Sequence, residues 1–450
     1  MITSRVARGV RVVIGAVALL GVAVVIWFAT SPGSMAFVTT PRVNLSDYPG
    51  ELTGTPLDLR GRDQPLVRGQ YLTQAADCEA CHTTPGGKPF AGGRAFKTSF
   101  GTLYSPNITP DAQTGIGTWT DAQFLEAMHE GVRADGARLY PAFPYASYTY
   151  LTDVDVLEIK AYLATLPAVR QAPPENDLAF PFNQRRLMTL WSAFFNPGER
   201  FRATPARSPE WNRGAYLVEG LGHCGDCHTP RNLLQGLDNR RKFTGAVADG
   251  WRAYNITSDR GAGIGGWSTA ELTKYLSTGH ATGRGSAAGP MLEAVELSLR
   301  HLTRNDISAM VAYLQTVPAL PSRDLPAQLA GAAPAAHDDG ATAHLDARGK
   351  KIFESACASC HEWTGEGAAT PYATLTGSRA VNDPSARNVV QAILSGVQAL
   401  PNHPSVFMPA FGQAYSDQEI AAVANYVTAR FGAKASTLSA AQVARLRDGD

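Results

Sequence analysis

The chain writes one five-residue pattern three times: Cys78-Glu79-Ala80-Cys81-His82, Cys224-Gly225-Asp226-Cys227-His228 and Cys357-Ala358-Ser359-Cys360-His361. Cys-x-x-Cys-His is the attachment signature of c-type haem. Two thiols separated by two residues reach the two vinyl groups of one porphyrin, and the adjacent histidine lies under the iron as its proximal ligand. Each copy therefore predicts one covalently bound haem, three haem c in all, on Cys78, Cys81, Cys224, Cys227, Cys357 and Cys360, with His82, His228 and His361 as iron ligands. A structural zinc site needs four protein ligands. The chain has 6 cysteines and all lie inside these motifs, so each copy offers two thiols and one histidine. A thioredoxin-like Cys-x-x-Cys belongs in a βαβ pattern, which surrounds none of the copies. A disulfide scaffold does not suit so long a chain with so few cysteines.

A length of 450 residues predicts about three domains at ~150 residues each, one per motif. The formal net charge of +1 gives no reason to expect a nucleic acid partner. At the N-terminus Arg5, Arg8 and Arg11 precede an uncharged run from Val12 to Ala29. Its length is near the lower limit of a membrane span, so residues 1–33 read as a transmembrane anchor, with a cleaved signal ending near Ser34-Met35-Ala36 as the alternative. The arginines hold the N-terminus in the cytoplasm and put the haem domains on the periplasmic side of the cytoplasmic membrane. Residues 34–65 are rich in Pro, Thr and Gly and read as a tether.

The context of the motif repeats as well. Leu66-Val67-Arg68-Gly69-Gln70-Tyr71-Leu72, Trp211-Asn212-Arg213-Gly214-Ala215-Tyr216-Leu217 and Ala347-Arg348-Gly349-Lys350-Lys351-Ile352-Phe353 lead into the three copies. The shared glycine predicts a close crossing of this first helix by the last helix of its domain. Between the first two copies the repeat continues. Asn107-Ile108-Thr109 returns as Asn255-Ile256-Thr257, and Gly115-Ile116-Gly117-Thr118-Trp119 as Gly263-Ile264-Gly265-Gly266-Trp267. Thr120 with Gln123 and Ser268 with Glu271 then predict capping boxes. Closing helices are expected over 153–166, 305–317 and 417–431, the first two ending before proline. No strand-like alternation of any length is present. The expected fold is all-α: three class I cytochrome c domains in tandem, at 66–168, 209–319 and 344–433, behind an N-terminal transmembrane helix. Linkers fall at 169–208 and 320–343, and a tail at 434–450. The first linker carries Phe180-Pro181-Phe182 and the run Trp191-Ser192-Ala193-Phe194-Phe195, too apolar for a plain spacer, so it packs on the domains or on a partner.

A haem c iron with a proximal histidine commonly takes a methionine sulfur opposite. That methionine should stand in a loop shortly before the closing helix. Met408, in Phe407-Met408-Pro409-Ala410-Phe411, serves the third domain, and Met291, in Gly289-Pro290-Met291, the second. The first domain departs: its loop reads Tyr140-Pro141-Ala142-Phe143-Pro144-Tyr145, and phenylalanine cannot ligate iron. Met128, His129 and Met188 are the candidates for the sixth position of haem 1, with a water or an open site as the other outcomes.

Further stretches bring a resemblance into view. They are Phe100-Gly101-Thr102-Leu103-Tyr104-Ser105-Pro106-Asn107-Ile108-Thr109-Pro110-Asp111, Leu139-Tyr140-Pro141-Ala142, Leu299-Arg300-His301-Leu302-Thr303 and Met408-Pro409-Ala410-Phe411. In these the chain resembles the triheme cytochrome c subunits of bacterial membrane-bound dehydrogenases. The resemblance implies a subunit that takes electrons from a catalytic partner and passes them to ubiquinone or to a downstream cytochrome or oxidase. One branch of the family serves molybdopterin enzymes that oxidise aldehydes or N-heteroaromatics, with a small iron–sulfur subunit, and the Pro-Ala-Phe-Pro-Tyr loop resembles that branch. The other serves PQQ alcohol dehydrogenases and flavin-dependent gluconate-type dehydrogenases, where the loop typically carries methionine at the place of Phe143. The molybdopterin branch is preferred. A rival class is a peroxidase-like enzyme working at an open haem 1. It needs a positioned acid or base, whereas the distal loop offers Phe143 flanked by prolines. No catalytic side-chain constellation such as G-x-S-x-G or H-E-x-x-H is present, so the chain reads as an electron-transfer subunit.

Overall fold

The computed structural model describes residues 14–16, 18–27, 30, 33, 64–322, 345–367, 370–398 and 407–449. The first unit begins with α1 (Gln64–Ala75) and α2 (Cys78–His82), followed by strands β1 (Ala95–Thr98) and β2 (Gly101–Tyr104), α3 (Asp121–Glu130) and α4 (Asp153–Leu163). Strand β3 (Asp177–Leu178) and α5 (Leu187–Phe195) lie between the units. The second unit repeats the plan with α6 (Pro209–Tyr216), α7 (Gly225–His228), β4 (Ala246–Ala248), β5 (Trp251–Ala253) and α8 (Thr269–Thr278). It continues through β6 (His280–Ala281), β7 (Gly285–Ser286), α9 (Pro290–Leu297) and α10 (Arg304–Leu314). The third unit holds α11 (Ala347–Ile352), α12 (Ala358–His361), α13 (Arg387–Ser395), β8 (Val397–Gln398), β9 (Phe407–Met408), α14 (Asp417–Phe431) and α15 (Ala440–Asp448).

In every unit the helix before the motif packs against a late helix: α1 on α4, α6 on α10 and α11 on α14. The crossing point is the repeated glycine. A Cβ on Gly69, Gly214 or Gly349 would collide with the backbone carbonyl of Glu158, Ala309 or Ala422 respectively, so the two backbones meet where a side chain cannot stand. Capping boxes form at Thr120/Gln123, Ser268/Glu271 and Ser416/Glu419, fixing where α3, α8 and α14 begin.

Three expectations about the fold are corrected. The chain is not all-α, because antiparallel hairpins β1–β2, β4–β5, β6–β7 and β8–β9 sit between the helices, with β3 added to the first. The strands are two to four residues long, too short for a period-two pattern to show. One left a readable mark: Asp249 (φ 49°) and Gly250 (φ 75°) form the tight turn of β4–β5, where Asp-Gly favours two successive positive φ values. The transmembrane helix is not found. Residues 14–16 and 18–27 of the apolar run are helical, but among the described residues no helix is long and apolar enough to cross a membrane. The remainder of that run, the Ser34–Ala36 site, the tether at 34–63 and most of 320–343 lie outside the described residues.

Third, three independent tandem domains are replaced by two hydrophobic cores. One core runs continuously through the first two units, from Leu72, Phe124 and Ile159 to Tyr216, Leu276, Val295 and Met310. The other belongs to the third unit, from Phe353 through Val390 and Tyr426, and extends into α15 through Val443 and Leu446. Polar groups join the first two units reciprocally. The Tyr71 hydroxyl donates to Asp306 Oδ2 at 2.6 Å, and the Tyr216 hydroxyl donates to Asp155 Oδ2 at 2.5 Å. Each tyrosine is also approached by the backbone N–H that opens the other unit's last helix, Thr303 at 3.1 Å and Thr152 at 3.2 Å. Arg68 and Arg213 neutralise the two aspartates from the same helices.

Candidate haem-binding sites

The three motifs fold alike. A short helical turn (α2, α7 or α12) ends in the histidine, and each ring is fixed by its Nδ1 on a backbone carbonyl. His82 meets Pro106 O at 2.7 Å, His228 meets Tyr254 O at 2.6 Å and His361 meets Ala373 O at 2.6 Å. With Nδ1–H donated to the carbonyl, the free Nε2 lone pair is aimed away from the backbone, the arrangement that orients a metal-ligating histidine. Burial keeps the pKa of all three rings below the ordinary histidine value, against the pull of those carbonyls, so the imidazoles are neutral and able to ligate.

The cysteines form no disulfide. Burial pushes the thiols of Cys81 and Cys224 up to about 12 and those of Cys227 and Cys357 up to about 11. Cys78 moves in the same direction for the same reason. These are neutral thiols in apolar walls, unlike the thiolates of redox or zinc sites, and their surroundings suit thioether attachment. Cys227 of the second motif adds a smaller upward push on the Cys81 thiol.

All six cysteines and all three histidines line one continuous cavity of about 2100 Å³. An ordinary ligand pocket holds about 300–1,000 Å³, so this volume corresponds to several joined cofactor sites. The residues therefore fit haem: apolar walls, paired thiols and an oriented imidazole in each unit. Met291, on the first turn of α9, and Met408, in β9, are half-buried and line the same cavity. Met408 is held there by the pairing of β9 with Val397 of β8.

Around haem 1 the candidates separate. Phe143 lines the cavity in contact with Tyr148, ring centroids 5.4 Å apart. Met128 is buried in the wall. His129, one residue on, turns to Asp153, with its Nδ1 3.9 Å from Oδ1, and is not part of the lining. Met188 enters the lining from α5, outside the first unit.

Comparison with known proteins agrees with this geometry. The Cytochrome c family model matches residues 66–167 and 347–430. The fructose dehydrogenase cytochrome subunit of Gluconobacter japonicus is 40% identical over 85% of this chain and 83% of that protein. The chain belongs to the cytochrome c subunits of bacterial dehydrogenases. A nicotinate dehydrogenase subunit of Pseudomonas putida is 41% identical over 82% of this chain, which spans 30% of that longer protein. The gluconate 2-dehydrogenase cytochrome c subunit of Pantoea cypripedii is 36% identical over 87% of this chain and 91% of that protein. As a member of this family the chain carries covalently bound haem c and transfers electrons for a catalytic dehydrogenase subunit. The family model matches two segments rather than three, in keeping with the correction to the tandem-domain expectation.

Proposed function

We propose that the chain binds three haems c and relays electrons from a molybdopterin dehydrogenase of the aldehyde or N-heteroaromatic type, through a small iron–sulfur subunit, to ubiquinone or a downstream cytochrome. The carrying observation is that three histidines, each fixed by a carbonyl, open with their cysteines into one shared cavity. Haem c supplies reversible one-electron chemistry at its iron. The chain's part is to attach each macrocycle at two thiols, orient His82, His228 and His361, and offer Met291 and Met408 as the opposite ligands of the second and third sites. The methionine–histidine pairing raises the potential of such a site, and the apolar lining restricts water.

Two observations support the molybdopterin type: the Pro141-Ala142-Phe143-Pro144-Tyr145 loop and the match to a nicotinate dehydrogenase subunit. The second reading is a PQQ- or flavin-containing partner of the alcohol or sugar-acid class. It is favoured by the nearly full-length likeness to the fructose and gluconate dehydrogenase subunits. The same proposal places the haem units on the periplasmic side of the cytoplasmic membrane. Arg5, Arg8 and Arg11 before an apolar run support that placement, as does the bacterial compartment in which haem c is attached.

The test is to purify the intact complex and identify the partner's cofactor. A large molybdopterin subunit with an iron–sulfur subunit is the expected result. A flavin or PQQ partner overturns it in favour of the second reading. The mass of the isolated chain should exceed that of its polypeptide by three haems, and a smaller excess would refute the count.

A further inference from the structure

The described residues contain five methionines, and the internal repeat assigns four of them. Met291, on the first turn of α9, and Met408, in β9, precede the closing helices of their units. Met128 and Leu276 stand at the same distance from the caps Thr120 and Ser268, and both line the cavity. A position filled by leucine in the second unit is part of the wall, so Met128 packs and does not ligate. Met310 likewise matches Ile159 and Val423 when the caps Thr303, Thr152 and Ser416 are superposed, and all three line the cavity as wall. By the same repeat Phe143 falls at the place of Met291 and leaves the first site without its ligand. Met188 is the methionine that has no counterpart.

Its setting is built. Helix α5 lies as a strap across the distal loop of the first unit. Arg185 stacks over the Tyr140 ring at 4.7 Å and donates to Arg138 O at 2.9 Å. Tyr140 donates its hydroxyl to Phe182 O at 2.9 Å. Trp191 packs edge-on to Tyr145 at 6.0 Å, and its Nε1 donates to Leu234 O of the second unit at 2.8 Å. Asn196 closes the strap by donating to His129 O at 2.8 Å. Met188, Trp191, Ser192 and Phe195 follow the i, i+3, i+4, i+7 spacing of one helical face, and that face is turned inward. Leu187, Leu190 and Phe194, on the rest of the helix, also line the cavity but are exposed, whereas Met188 is half-buried. The half-buried face therefore brings a thioether into the same cavity that Phe143 lines.

We infer that Met188 is the sixth ligand of the first haem, delivered by the strap between the units in place of the residue lost at Phe143. This rests on the three-haem reading. Because α5 also holds the second unit through Trp191, ligation of the first haem depends on the strap being docked. An enzyme-like open first site is then closed by the chain itself.

The experiment is spectroscopy on the full-length protein and on the variants Met188→Leu, Met188→His and Met128→Leu. Electron paramagnetic resonance and the weak methionine–ferric-iron charge-transfer band are the readouts, with haem content measured on each sample by mass. Wild type should be entirely low-spin. Met188→Leu should turn one haem high-spin and remove about one third of the charge-transfer band. Met188→His should lose the same share of the band while remaining low-spin, which separates ligand loss from misfolding. Met128→Leu should change neither. The inference is overturned by a high-spin haem in wild type, by an unchanged band in both Met188 variants, or by loss of the band in Met128→Leu. Fewer than three haems by mass would instead refute the haem count, independently of the spin states.

Discussion

The first two units and the third use the same motif and helix crossing, yet they are joined in different ways. Between the first and second units a single apolar core is continuous, and two tyrosines reach across to each other's aspartates. Between the second and third, Tyr372 and Val397 pack against that core, and side-chain and backbone hydrogen bonds supply the other contacts. Asn388 bridges the backbone of Arg252 at 2.7 and 2.9 Å, Tyr372 donates to Thr278 O at 2.9 Å, and Arg379 N–H meets Arg284 O at 3.2 Å. One residue accounts for much of the contrast. At the position of Tyr71 and Tyr216 the third unit carries Lys351, which is exposed. A duplicated unit whose tyrosine fits its twin's aspartate becomes half of a fixed pair, whereas one with lysine there remains a docked module. Relative rigidity therefore falls between the first and second units, and adjustability between the second and third.

The strongest way to break this comparison is Asp306→Ala. Arg213 and Asp306 are almost fully buried, and their two hydrogen bonds measure 2.6 and 2.8 Å. Removing the carboxylate leaves an unpaired buried guanidinium and a Tyr71 hydroxyl with no acceptor for its proton, at a cost of about 3–5 kcal/mol. The matching Asp155→Ala should cost less, because its partner Arg68 is 28% exposed and can be hydrated. Denaturant unfolding of both variants tests this. The two-core reading predicts that the first and second units lose stability together while the third keeps its own transition. One merged transition shifted throughout would show that the units are not separable.

Much of this was legible in the residues. The three motifs located all six cysteines and the three histidines now seen with their Nδ1 atoms on carbonyls, because attachment chemistry fixes local spacing. The repeated Arg-Gly marked the helix crossings, since glycine at a fixed offset answers a steric demand. Hairpins of two to four residues were not legible by periodicity, although Asp249-Gly250 signalled one turn. The fusion of two units was missed because Tyr71 and Tyr216 were visible only as parts of the repeated lead-in to the motif. That they exchange partners depends on three-dimensional proximity between segments 235 and 61 residues apart. Met188 was visible only as one candidate of three. The repeat register and the docking of α5 are the grounds on which we infer it as the ligand.

A smaller effect sharpens the pairing. Tyr71→Phe keeps the ring and removes the hydroxyl that donates to Asp306 and accepts from Thr303 N–H. Hydrogen bonds to a charged group contribute about 1.5–3 kcal/mol. Asp306 retains Arg213, so the loss should lie toward the lower end. Tyr216→Phe should do the same from the other side. Near-additive losses in the double variant would mean that the two exchanges act independently. A double variant clearly worse than the sum would mean that they close one cooperative interface.

The smallest effect distinguishes the two halves of the pair. His129 is buried in the first unit, and the repeat places Ser277 there in the second. Burial first, then the charge of Arg200, lowers His129 to about 4, against the opposing pull of Asp153. The folded state thus binds this proton less readily than the unfolded chain, whose histidine titrates near 6.5. Stability is therefore complete above about pH 6.5 and is lost as pH falls through the window down to about 4. Screening by solvent limits the loss to about 1–2 kcal/mol. Unfolding of wild type and His129→Gln across that window tests this. The variant should show a flatter dependence on pH, with the change confined to the transition that carries the first two units. An equal slope in both proteins would assign the acid sensitivity to other groups and remove the asymmetry within the pair.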